Sequence, residues 1–270
     1  MTKTLKELNL EDDFLFAKVM SDKKICKEFL EKLLDIKINK VEIPENQKTI
    51  DILLECKGIR LDIYVKDEDN TVYNIEMQRG KHKNIPKRLR YYQGNIDLDL
   101  IKKGEDYNKL ARSFIIFICT FDLFNKKRHK YTFETKCIED NDIKLNDDTN
   151  KIILNTKGMM NDMSEELIEF LNYVEHSNEE TLNNSKGDLV KHVHEKVNEV
   201  KNDATVEVEF MTLLERDREK IEEGRIEGIE EGIKKAISKL LSKGKNEVEI
   251  ADLLEVDIKL VEEVKANMKK

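Results

Sequence analysis

Apolar positions recur along this chain with two different periods, and each change of period marks an expected element. Near the start, EDDFLFAKVM followed by SDKKICKEFLEKLLD places Ile25, Phe29, Leu30, Leu33 and Leu34 at helical spacing, with Ser21 as the expected N-cap of the second piece. Three strand candidates come next: TIDILLEC (49–56), IRLDIYV (59–65) and VYNIEMQ (72–78). Lys57-Gly58 separates the first two and the polar cluster DEDN the second pair. A helix is expected after Asn84 as N-cap, with Pro86 in its first turn and Gly104 at its exit. SFIIFICTF (113–121) is a nearly continuous apolar run, as in a strand buried on both faces. Helix, three strands, helix, strand is the order of an α/β layer fold.

Short extra strands are expected in YTFETKC and KIILN, and almost everything beyond Ser164 reads as helix. Residues 215–232 carry glycines at 224, 228 and 232, each costing a helix about 1 kcal/mol against alanine. Ile226, Ile229, Ile233, Ile237 and Leu240 still keep a three-four stripe that suits a partner helix, so a homo-oligomer through the C-terminal helices is one expectation. The segment KNEVEIADLLEVDIKLVEEV resembles a helix-turn-helix, but its second helix has few donors at its start and two glutamates in the middle. A packing or oligomerisation unit fits it better than a DNA reader. The expected division is 1–160 as a core with extra short strands, 161–235 as a helical extension, and 236–270 as a small helical unit.

Composition narrows the setting. Hydrophobic and charged residues each make up 39% of the chain, and the net charge is −8, which argues against a broad nucleic-acid surface while leaving room for a local basic groove. No apolar run approaches a membrane span, and MTKTLKELNLEDD lacks the apolar segment of a signal peptide. Cys26, Cys56, Cys119 and Cys137 form no CxxC pair, and the first three sit among apolar neighbours. A cytoplasmic, reduced protein without membrane contact is expected. Neither a phosphate-cradling glycine loop nor a Ser-His-Asp signature is present. His192 and His194 face different ways on a helix, and His82 and His129 fall in basic loops expected at the surface.

The candidate chemistry lies in the second and third strands. Their apolar positions match only if Leu61, Ile63 and Val65 stand opposite Met77, Ile75 and Tyr73. That register sets Asp62 opposite Glu76 and Arg60 opposite Gln78. Opposed Cβ atoms lie about 4.5–5.5 Å apart, and two carboxylates about 4 Å apart repel by roughly 4 kcal/mol at an effective dielectric of 20. A protonated carboxyl, a cation such as Arg60, or a divalent ion would offset that repulsion. An ion such as Mg²⁺ or Mn²⁺ would lower the pKa of a bound water and stabilise charge on a phosphate. A mixed-charge wet face of an antiparallel hairpin is the plain alternative. Directly after Gln78 come Arg79, Lys81, Lys83, Lys87, Arg88 and Arg90, with no acid until Asp97, a local reversal of sign that could line the approach for DNA phosphates. On the helix, Arg88, Tyr91 and Asn95 are expected on one face, and Leu89, Tyr92 and Ile96 on the core side.

The succession DDFLFAKVM, GIRLDIYV, VYNIEMQ, PKRLRYYQ, GEDY (104–107) and FIIFICTFD resembles the Rpn family, the recombination-promoting nuclease and transposase branch of the PD-(D/E)XK superfamily, over roughly residues 10–235. The resemblance implies a mixed sheet flanked by helices, with a long helical tail, and a metal-dependent DNA endonuclease using Mg²⁺ or Mn²⁺. It makes Asp62 and Glu76 the metal carboxylates and puts Gln78 where the superfamily more often has lysine. DNA binding falls to Arg79, Lys81, Lys83, Lys87, Arg88, Arg90 and Tyr91. Leu61 stands where a proline would precede the first acid. A first-helix glutamate often completes such sites, with Glu28 and Glu31 as candidates. An amide orients water but carries no charge, so Gln78 shifts activation toward the metal or Arg88. It also keeps open a catalytically weak or inactive DNA-binding or assembly protein on the same scaffold.

Overall fold

The computed structural model describes residues 3–43, 49–50, 59–60, 62–80 and 84–268. The rest of the first strand candidate, with Cys56, Leu61, Lys81, His82 and Lys83, lies outside the described residues. Two compact units result, 1–207 and 208–270.

In the first unit, helices α1 (Asp13–Met20) and α2 (Lys23–Leu34) precede the sheet. Asp12 and Asp22 cap them through their carboxylates, so the expected Ser21 cap falls one residue early; the Ser21 hydroxyl donates instead to the Ala17 carbonyl. A carboxylate accepts from helix N–H groups without needing a proton of its own, and it also complements the helix dipole. Among the described residues one sheet runs in the order β1 (Val41–Glu42), β4 (Ile63–Asp67), β5 (Val72–Gln78), β6 (Ser113–Cys119), β8 (Thr149–Asn155), β7 (Lys130–Phe133). Strands β2 (Thr49–Ile50) and β3 (Ile59–Arg60) form a separate two-stranded ladder.

Pairing is antiparallel from β4 to β5, parallel from β5 to β6 and from β6 to β8, and antiparallel from β8 to β7. The hairpin closes where the sequence clusters turn residues: Asp67 accepts from the Asp69 and Thr71 amides, and Asn70 takes φ 62. The parallel β5–β6 step requires a crossover, supplied by α3 (Ile85–Leu100). Its exit reaches Gly104 at φ +90, a conformation that disfavours any side chain with a Cβ. Strand β6 is buried along its whole length, as its unbroken apolar run requires.

Strand alternation sends Tyr64, Val72, Ile115, Phe117, Cys119 and Ile153 toward Ile85, Leu89, Tyr92 and Ile96 of α3. Asn74, Glu76 and Gln78 continue the Val72 face of β5, so the polar end of that strand lies on the helix side of the sheet. The first unit is completed by α4 (Glu165–Glu175), α5 (Glu179–Asn184) and α6 (Asp188–Asn202), with α4 and α6 meeting α1 and α2, for instance through Phe29 and Phe170 at 5.1 Å.

The second unit holds most of α7 (Ala204–Ser242), then α8 (Glu247–Leu254) and α9 (Ile258–Asn267). Its core joins Ile237, Ile250, Val261 and Val264. Asn246 and Glu249 form a capping box on α8, and Glu255 at φ 50 turns the chain into α9. On α9 Glu262 and Glu263 are exposed. Residues 215–232 of α7 are exposed throughout, Ile221 at 71%. Nothing lies within 4 Å of a Cβ built at Gly224, Gly228 or Gly232. Gly228→Ala should therefore stabilise this stretch by about 0.5–1 kcal/mol. Amide hydrogen exchange across 215–232 in the full chain would slow; faster exchange would mean that the glycine is needed for close packing.

Candidate active site at the open end of the hairpin

The hairpin register is the one its apolar pattern demands: Ile63 pairs with Ile75, Tyr64 with Asn74, Val65 with Tyr73 and Lys66 with Val72. Asp62 sits one step past the end of this ladder, at a bend. The continuous strand expected over 59–65 is therefore interrupted, and Arg60 pairs with Thr49 rather than standing opposite Gln78. The reason lies in where the backbone donors go. The Asp62 amide donates to Glu76 Oε1 at 3.1 Å, and the Met77 amide donates to Asp62 Oδ2 at 3.1 Å. Two carboxylates thus take the place of ladder carbonyls, crossing between the strands and holding both acids on the α3 side.

Glu76 is only 2% exposed. Burial first, and then the charge of Asp62, push its carboxyl pKa well above the usual range, against opposing pulls from the Asp62 amide, Asn74 and Arg88. Arg88, one turn into α3, brings a cation to this end of the hairpin. Its Nη1 donates to Gln78 Oε1 at 2.6 Å, its Nη2 donates to the Tyr92 hydroxyl at 2.9 Å, and Nη2 lies 3.9 Å from Glu76 Oε2. The guanidinium also stands 5.4 Å from the ring centres of Tyr92 and Phe117, a cation–π cradle that fixes its plane. Gln78 is held at both ends, since its Nε2 donates to the Met77 carbonyl at 2.5 Å.

Of the basic residues read from the sequence, Arg88 joins the carboxylates, whereas Arg79 is exposed and paired with Asp12 at 3.1 Å. Lys87, Arg90 and Tyr91 are exposed on α3; Lys81 and Lys83 lie outside the described residues. Asn95 does not share an open face with Tyr91: it is buried, and its side chain donates to the Tyr91 carbonyl. Leu89, Tyr92 and Ile96 face the core as expected.

Neither glutamate of the first helices completes the group. Glu28 meets His192 at 2.8 Å, and Glu31 accepts from the Ile38 amide at 2.8 Å. The acid in electrostatic reach is instead Asp13 at the start of α1. Its surroundings and Asp12 push its pKa up, while Arg79 and Arg88 draw it down. The acids at the head of DDFLFAKVM mark the place, but spacing alone does not single out Asp13 among them. His129 also departs from expectation: it is buried rather than on the surface, with Nδ1 2.6 Å from the Met160 carbonyl and 3.1 Å from Asp162. Cys26 and Cys119 are buried free thiols, both pushed up to about 12 mainly by burial, which makes them packing groups rather than nucleophiles.

The site is thus an acid pair at the open end of a β-hairpin, Glu76 buried and Asp62 half-buried, followed by a basic helix. The family model for PD-(D/E)XK nuclease family transposases matches residues 11–232. The chain belongs to that family. No curated protein matches it, and no solved structure does. The match is consistent with the Rpn resemblance, and the six-strand mixed sheet with flanking helices is the α/β fold expected of a PD-(D/E)XK protein.

PD-(D/E)XK nucleases typically use divalent metals, and the acid pair here can be tested for fit. Among the described residues no group of three or more His, Cys, Asp or Glu side chains is placed to hold an ion. Two carboxylates nevertheless suit Mg²⁺, which keeps several waters and commonly takes only one or two protein carboxylates beside substrate phosphates. The raised pKa of Glu76 marks a negative charge that its own surroundings leave under-compensated. The donor set fits a hard divalent ion.

That raised pKa has a consequence for stability. Below the unfolded value, near 4.5, Glu76 is protonated in both states and costs nothing. As pH rises past it, the unfolded chain releases its proton first, so the folded state loses stability until pH passes the folded value. Glu76→Gln keeps an acceptor for the Asp62 amide and removes the charge. In divalent-free buffer it should raise Tm at pH 7–8, with the gain fading below pH 4.5; an unchanged or lower Tm at pH 7–8 would show that the buried charge is already balanced.

Proposed function

We propose that this family member is a Mg²⁺- or Mn²⁺-dependent DNA endonuclease of the cytoplasm, acting in recombination or for a mobile element. The observation that carries the reading is the crossed Asp62–Glu76 pair with the Arg88 guanidinium beside it. Asp62 and Glu76 would hold the ion, which when bound supplies Lewis acidity toward water and phosphate. Water adds to phosphorus and the bond to the leaving sugar oxygen breaks, so charge builds on the phosphate oxygens. The Arg88 guanidinium is fixed by Tyr92, Phe117 and Gln78, so it can meet that charge with no reorganisation. On this reading Arg88 supplies the positive charge for which the superfamily more often uses lysine, and Gln78 aims it. Exposed Lys87 and Arg90 lie one helix turn or less from Arg88 and suit contact with flanking phosphates, which positions a duplex without reading its sequence.

One observation favours a second reading, a weak or inactive DNA-binding or assembly protein on the same scaffold. Both ends of the Gln78 amide are already engaged, leaving it little capacity to orient water.

Plasmid nicking with Mg²⁺ or Mn²⁺ separates the two. The nuclease reading expects nicking by the native chain, loss with Asp62→Ala or Glu76→Ala, and a fall of about 10²–10³-fold with Arg88→Gln. Lys87→Ala and Arg90→Ala should weaken duplex binding and each reduce the salt slope by about 0.9. Salt-dependent binding without nicking under either metal would favour the second reading. Equal nicking by all variants would place the chemistry elsewhere.

A further inference from the structure

Asn74 is the one polar residue of the β5 face for which the site described above gives no role. It is 0% exposed, and neither Oδ1 nor Nδ2 has a hydrogen-bond partner. Its strand neighbours in register are Tyr64 and Ile115, and the same face packs Val72, Phe117 and Ile153 against α3. Valine or isoleucine would suit this surface and leave no amide stranded, so the position is unfavourable for an amide on packing grounds. Its neighbour two residues along the strand is Glu76. The two side chains leave the same face of β5, and in this structure the Asn74 amide stands outside hydrogen-bond geometry to the carboxylate. Of the Glu76 oxygens, Oε1 takes the Asp62 amide, and Oε2 has Arg88 only at 3.9 Å. Arg88 is drawn away by its short bonds to Gln78 and Tyr92.

We propose that Asn74 is a positioning residue for Glu76, whose amide turns onto the carboxylate and fixes its orientation when that group takes up a divalent cation. The inference rests on the proposed metal role of Asp62 and Glu76 and adds a residue behind them. Asn74 meets neither DNA nor the ion; it acts through Glu76 from within the sheet–helix layer. Groups in this position commonly set ligand geometry, and their loss weakens metal binding by about 10–100-fold.

The test compares Asn74→Val with Asn74→Thr, nearly identical in shape and differing by one hydroxyl donor. Calorimetry with Mn²⁺ is run on the full chain, with Glu76→Ala as control, and apo Tm is measured beside it. Asn74→Val should bind Mn²⁺ about 10–100-fold more weakly, with an apo Tm unchanged or raised by ~2–4 °C because an unsatisfied amide is gone. Asn74→Thr should recover part of the affinity. Native affinity in Asn74→Val, or indistinguishable affinities in the valine and threonine variants, would overturn the positioning role. If Glu76→Ala bound Mn²⁺ as the native chain does, the metal reading would fall first and this inference with it.

Discussion

Two acidic side chains, each hydrogen-bonded to a backbone amide of the opposite strand, are the constraint on which the rest of this structure turns. Asp62 and Glu76 each accept an amide from the opposite strand at 3.1 Å, which joins them at the hairpin's open end. The same bonds keep the two carboxyl groups close, with Glu76 buried and Asp62 half-buried. Glu76 registers the consequence in a carboxyl pKa raised by burial and by its partner. A buried carboxyl held against a second one is poor for stability and useful for chemistry, and such a conflict is expected at sites that act.

The fold around the pair supports it from three directions. Strand β6, buried throughout, holds β5 in place by parallel pairing along its full length. Helix α3 crosses over that pair and brings Arg88 back to the strand from which it left. The rings of Tyr92 and Phe117 then hold the guanidinium without matching charge for charge. Helix α1 contributes Asp12, which occupies Arg79, and Asp13, which feels both arginines. Among the described residues the basic run after Gln78 thus divides into Arg88 turned inward, Arg79 paired with Asp12, and Lys87 and Arg90 left on the surface of α3.

Much of this was legible in the chain. Period-two alternation in IRLDIYV and VYNIEMQ selected the pairing seen between Ile63 and Ile75, because a slip by one residue would set apolar against polar side chains. The nearly uninterrupted run SFIIFICTF announced a central strand for a different reason, since apolar side chains leave both of its faces. The break at Asp62 was not legible, since alternation continues through it and only the two carboxylate-to-amide bonds divert the backbone. Asp13 was equally hidden: on a helix, which acid faces a distant strand depends on tertiary packing rather than on spacing. Burial of His129 follows from loop contacts with Met160 and Asp162 that no local pattern encodes.

On the proposed reading Asp62 and Glu76 share one divalent ion. Anomalous diffraction from crystals grown with Mn²⁺ should then show a single strong peak within coordination distance of both carboxylates, on the α3 side of the sheet. A peak touching neither, or carboxylates that stay empty at saturating Mn²⁺, would contradict it.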